Sequence, residues 1–231
     1  MALTRERILE TALEILSAYG LGDLSMRRLA AELDVAPGAL YYHVRNKQEL
    51  LAQLAHRLLE TGPGRPPRAA EPGPASPSVE PILPPDSPPT ARRAAEEALE
   101  RALAVRASLA GIPDAADVVS LAIALRPEAV PPLGALAESL ESAGLDAERA
   151  GWAARTILYT VLGFVGGDQS RAQAGPGAAG YGTAGPGAAG PGTTSPGTPR
   201  HGAGSPPPEA AGGSAEACAF GVRAVLKGLF L

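Results

Sequence analysis

Cysteine is almost missing from this 231-residue chain, which has one. A single thiol excludes an intrachain disulfide and any zinc cluster built from cysteines. Aromatic residues are scarce, at 4%, so a core drawn from the 45% of apolar residues must be filled by aliphatic side chains and alanine. An excess of positive charge is missing too. The formal net charge is -4 and the isoelectric point is near 5.5. The chain is therefore no basic coat for nucleic acid, and any contact with DNA has to come from a local patch. The longest apolar run, ILYTVLGFVGG, is too short to span a bilayer, and the first residues, MALTRERILE, lack the apolar segment of a signal peptide. The expectation is a soluble, cytoplasmic protein with no membrane partner. Paired carboxylates, a metal-ligand cluster and a phosphate-cradling loop are not found in the pattern, so neither an enzyme nor a metal site nor a cofactor is expected.

Glycine and proline, 28 and 24 residues, are abundant and clustered. Residues 62–89 are Pro-rich and too poor in apolar side chains to bury, which predicts a flexible, locally extended linker. Residues 170–214 are rich in Gly and Pro and carry AGPGAAG twice, from Ala174 and from Ala184. The repeat is not a strict Gly-x-y period, so a disordered insert is expected there instead of collagen.

The remaining sequence is helix-periodic. Ile8, Leu9, Ala12, Leu13 and Leu16 share one face between a capping Thr4 and a terminating Gly20. Ser25 caps a short second helix with Leu29, Ala30 and Leu33 inward. Asp34-Val35 makes a tight turn, at a position where glycine is usual and Asp is one of the few alternatives. Pro37 opens a third helix to about Val44, and Asn46 with Glu49 has capping-box spacing for a fourth helix to about Glu60. Further helices are predicted over about 90–108, 114–125, 132–143, 146–166 and 209–229. No stretch shows sustained strand alternation. The fold class is all-α, with an N-terminal unit over 1–61, the linker, and a helical unit over 90–231 interrupted by the insert. Three short helices with a tight turn between the second and third make a helix-turn-helix arrangement.

The residues around that turn say more. The stretch over residues 3–60 resembles the DNA-binding domain of the TetR family of bacterial repressors. The resemblance is carried by Leu40-Tyr41-Tyr42-His43-Val44, then Asn46-Lys47 and Leu50-Leu51. ILYTVLGFVGGDQ and FGVRAVLKGLFL resemble the last core helices of the tetracycline-repressor-like C-terminal domain. The likeness is weak between these segments, and the two low-complexity stretches fall outside it.

The resemblance implies a homodimer that binds a double-stranded DNA operator and answers to a small-molecule effector, and most simply a ligand-released repressor on a palindromic operator. A cation at the first turn of a helix opposes the helix dipole, so Lys47 needs another reason to be there; a phosphate supplies one, and the matching family Lys contacts the DNA backbone. Arg27 matches the position that can reach a guanine edge, while Arg28, about 100° round the helix, points elsewhere, to backbone or solvent. For both, a solvated charge is the alternative. Pro37, Gly38 and Ala39 have no hydrogen-bonding side chain and permit close approach or contact with thymine methyls, which leaves polar readout to Arg27, Tyr42 and His43. Tyr41 is expected either on a phosphate or partly buried. His43 has no nucleophile beside it and is read as facing DNA. Residues 1–60 hold seven Arg or Lys against eight Asp or Glu, so a basic face has to come from arrangement.

In the second unit, helix 146–166 is apolar nearly all round and demands burial on several sides. Leu158, Leu162, Phe220, Val225 and Leu229 are read as the dimer interface. Trp152, Arg155 and Tyr159 fall on one helix face and could offer a cation and two aromatic rings to a small ligand. The chain's histidines are His43, His56 and His201, so a magnesium–tetracycline ligand is not expected. Cys218 reads as a small buried apolar residue. A helical adaptor that keeps the fold but binds a protein is the other reading, suggested by the apolar front of the third helix.

Overall fold

The computed structural model describes residues 3–61, 81–174 and 209–230, and no strand occurs among them. α1 (Arg5–Tyr19) starts at Thr4, whose hydroxyl accepts the Arg7 N–H, and ends at Gly20 with φ 78°, a conformation suited to glycine. α2 (Met26–Glu32) starts where the Ser25 hydroxyl accepts the Arg28 N–H. Asp34 takes the left-handed conformation, φ 52°, so the expected turn falls on it. Pro37 occupies the first turn of α3 (Pro37–His43), which only lacks a donor that would be unpaired there anyway. Asn46 Oδ1 accepts the Glu49 N–H at 2.8 Å and opens α4 (Lys47–Thr61). Glu49 in return accepts the Arg45 N–H at 2.9 Å, one residue before the usual capping-box donor. Ile8, Ala12, Leu16, Leu29, Leu40 and Leu50 close a small aliphatic core beneath these helices.

The second unit comprises α5 (Pro89–Leu109), α6 (Ala115–Leu125), a 3₁₀ turn at Pro127–Ala129, α7 (Pro131–Ser142), α8 (Ala147–Ala174) and α9 (Glu209–Leu229). α5, α7, α8 and α9 pack on one another, and α6 lies between α8 and α4. Leu51, Leu54, Leu58 and Leu59 of α4 are buried, so this helix belongs to both cores and joins the two units by side-chain packing. No helix among the described residues is long and apolar enough to cross a membrane.

Two boundaries differ from the expectation. Ile82 and Leu83, inside the stretch read as linker over 62–89, are buried. Two adjacent apolar residues suffice to anchor a segment whose average composition is too polar to pack. α8 also runs eight residues beyond Gly166, through Gly166-Gly167 and into the stretch read as insert. Two glycines cost a helix about 1 kcal/mol each, and tertiary anchors offset that cost. Gln169 Nε2 donates to the carbonyls of Leu109 and Ile112, at 3.1 and 2.6 Å, satisfying groups at the end of α5. Arg106 of α5 meets Asp168 of α8 at 2.9 Å. Residues 209–214, the other edge of the expected insert, begin α9; residues 175–208 lie outside the described residues.

Candidate nucleic-acid interface

The side chains expected to meet DNA lie on α2, on α3 and at the start of α4. Tyr42 is 91% exposed and Tyr41 51%. An aromatic ring this bare at the end of a folded helix has no packing reason to be there. The Tyr42 and His43 rings meet edge to face at 5.4 Å, so the histidine steadies the tyrosine that projects beyond it. Arg5 Nη2 donates to the His43 carbonyl at 3.1 Å and ties the end of α3 back to α1. Pro37, Gly38 and Ala39 are exposed, and a Cβ placed on Gly38 would meet nothing within 4 Å. The front of α3 is thus a low, bare surface that another molecule can approach closely.

Arg27, Arg45 and Lys47 are exposed, and none of them has a salt bridge among the described residues. Several of the unit's acids are occupied elsewhere. Arg57 of α4 pairs with Glu6 and Glu10 of α1, and Arg28 takes Asp23. A unit with a slight acidic excess therefore presents, at α2 and α4, cations without an ion pair among the described residues, although Glu32 and Asp34 stay exposed in and after α2.

Arg28 departs from its expected role. Its guanidinium lies 4.0 Å above the Tyr19 ring and binds Asp23 at 2.5 Å, so it fastens the α1–α2 corner. The two arginines differ because the helical rotation of one residue carries Arg28 over the neighbouring helix and Arg27 away from it.

The residues expected to line a ligand site do not form one. Trp152, Arg155 and Tyr159 share the outward face of α8, with Trp152 60% and Tyr159 45% exposed. Leu158 and Leu162, expected at a dimer interface, are instead core residues of the single chain, at 0% and 4% exposure. α8 packs against α5, α6, α7 and α9, which cover its buried side. Val225 and Leu229 are half-buried, and Phe220 is 74% exposed. Gly221 lets α9 approach α8 closely, since a Cβ there would lie 3.2 Å from the Phe164 ring and 3.3 Å from Thr160.

Two features were not anticipated. Asp114, on the α5–α6 turn, accepts the Leu21 N–H at 2.8 Å with Oδ2 and Gln173 Nε2 at 3.0 Å with Oδ1. It links the α1–α2 corner to α6 and α8. Its carboxylate fills the space over Gly20, where a Cβ would come within 2.6 Å of it. Nothing in local sequence signals a contact over 93 residues of separation. The second is a cavity of about 180 Å³ between α4, α5 and α7, lined by Leu59, Arg101, Val105, Ser108, Pro131 and Ala135 among others. Its signal in the sequence is the spacing of Arg101, Ala104, Val105 and Ser108, one stripe of α5.

Two titratable groups of the second unit, Asp168 and Cys218, have buried surroundings. Burial raises the Asp168 carboxyl, but hydrogen bonds from Ser214, Arg106 and Arg171 outweigh it and hold the group below the usual carboxylate range. Burial pushes the Cys218 thiol up, away from the thiolate form. No cluster that could hold a metal ion occurs among the described residues.

The profile of bacterial regulatory proteins of the tetR family matches residues 8–54. The class C tetracycline repressor of Escherichia coli is 47% identical over 57 residues, which are 25% of this chain and 26% of that repressor. The match thus spans about a quarter of that relative's length. Solved structures extend the likeness past the head. BioQ, crystallised with its natural double-stranded DNA operator, is 33% identical with a TM-score of 0.56, over 75% of this chain and 90% of BioQ. The TetR family protein ActR of Streptomyces coelicolor, crystallised with (S)-DNPA, is 30% identical with a TM-score of 0.55, over 74% of this chain and 75% of ActR. With a reading head, an aliphatic second unit and relatives that match across both, this chain belongs to the TetR family of bacterial regulatory proteins, a family of regulators and not of enzymes.

Proposed function

We propose that the protein is a transcriptional regulator that binds a palindromic operator as a homodimer and is released from it by a small-molecule effector. The observation that carries the reading is the exposed front of α3 with the bare Tyr42 ring, together with Arg27 and Lys47, exposed cations without an ion pair among the described residues. The likeness to BioQ, whose structure includes its operator, supports DNA as the target. Phosphate contacts from Lys47 and Tyr41 would set the register, and Arg27, Tyr42 and His43 would read bases. The apolar side chains left outward on α8 and α9, Trp152, Tyr159 and Phe220, support a second copy as the partner. Two heads so joined suit two half-sites about 34–36 Å apart. ActR's structure with a small molecule supports the effector.

The experiment is a mobility shift with the purified full chain and DNA from its own promoter region, at low salt and without ligand. Specific binding that Arg27→Ala and Tyr42→Ala weaken is the expected result. Failure to bind specifically, or binding unchanged in both variants, would overturn the reading.

A further inference from the structure

The cavity between α4, α5 and α7 carries one cation in a mostly apolar wall. Arg101 contributes to its wall, and Nε of that side chain is buried without a hydrogen-bond partner. Among the described residues no ion pair reaches its guanidinium either. The contrast with Arg106, one and a half turns along the same helix, is informative. Arg106 also leaves Nε unpartnered, but its Nη2 binds Asp168, so that cation has its counter-charge. Arg92 leaves Nε unpartnered as well but does not line this cavity. Arg101 as a whole is half-buried, and an arginine cannot lose its proton, so a cation stands at the cavity wall whatever the pH. The other wall residues are mostly apolar: Leu59, Val105, Pro131 and Ala135. Ser108 is buried and spends its proton on the Ala104 carbonyl at 3.0 Å, which leaves Arg101 as the side-chain donor.

An apolar cavity with one convergent cation selects an amphipathic anion. A planar guanidinium matches a carboxylate in shape as well as charge. An engineered apolar cavity of about 150 Å³ admits benzene, so the space here suits a compact or short-chain body. We infer that this cavity is the effector site and takes a monocarboxylate with an apolar tail, its acid group held by Arg101. The inference rests on the reading of the protein as an effector-responsive regulator. Leu59 places the tail against α4, the helix that the two units share.

Calorimetric titration of the full chain with octanoate, and with octanol as the neutral match, tests the assignment. Octanoate should bind at least about tenfold more tightly than octanol, as expected for one charge-assisted contact. Arg101→Gln should erase that preference, and Arg101→Lys should keep part of it. Ala135→Leu, which fills the cavity and leaves Arg101 in place, should weaken both ligands, and it decides the matter if Arg101→Gln does not fold. Equal binding of the two probes, binding of neither, or an unchanged preference in Arg101→Gln would each overturn the inference. An operator mobility shift on ligand-free samples separates it from the DNA reading, because a chain that shifts operator DNA but ignores octanoate keeps its function and loses only this site.

Discussion

Arg27 and Arg28 are neighbours with different tasks, and their substitution separates recognition from folding. Arg27→Ala removes an exposed guanidinium with no salt bridge. It should cost about 1–3 kcal/mol of operator binding and relax base preference at one position, measured on a panel of operator variants. Lys47→Ala should weaken all sequences alike and lower the slope of log affinity against log salt by about one. Arg28→Ala removes the Tyr19 stack and the Asp23 pair. Both are surface contacts, so stability should fall by only about 1 kcal/mol in a denaturant titration. Operator affinity of the folded variant should stay near the parent value; a large loss of affinity would return Arg28 to the interface. The exposure of Arg27, Tyr41, Tyr42 and Lys47 was legible in the sequence because cap and turn chemistry sets the faces of α2, α3 and α4 locally. Tyr19 beneath Arg28 could not be read, since it depends on how α1 crosses α2.

Among the elements, the start of each helix was legible and the far end of α8 was not. Thr4, Ser25 and Asn46 are caps whose partners lie three residues away, so spacing suffices to find them. α8 continues through Gly166-Gly167 because Arg106, Gln169 and Ser214 hold its last turns from other helices, and a pattern within one segment carries no sign of them. Asp168 is the centre of this arrangement, binding residues of α5, α8 and α9. Its folded carboxyl titrates below the unfolded one. The stabilisation is therefore fully present above the unfolded value, about 3.9, and is lost as pH falls through the lower folded value. Asp168→Asn should cost about 1–3 kcal/mol at neutral pH. It should also flatten the acid limb of a stability–pH curve followed by circular dichroism. An acid limb as steep as the parent's would show that other carboxylates govern it.

Across the whole molecule, the burial of Leu158 and Leu162 and the exposure of Trp152, Tyr159 and Phe220 divide α8 and α9 into an inner and an outer surface. Sequence could not make this division, because a helix apolar on all sides gives no hint of which side its own chain will cover. The two surfaces predict opposite failures. Leu158→Ala should destabilise the fold by about 2–5 kcal/mol. Phe220→Asp should leave the fold intact and shift the mass in light scattering toward the monomer, with loss of operator binding; a dimer that survives this change would place the interface elsewhere. Relative orientation of the two units has its own determinant. α4 alone would act as an axle, and a head mounted on one axle still turns about it. The hydrogen bond from Leu21 to Asp114 lies off that axis and removes the turn. Asp114→Ala should accordingly leave the melting of the head unchanged while operator affinity falls. In the proposed dimer the loss would be one of alignment, since each head remains able to read its half-site but the pair no longer holds a fixed angle. Gly20 is the clearance for this stop, and its replacement by alanine would jam the same joint that Asp114→Ala frees.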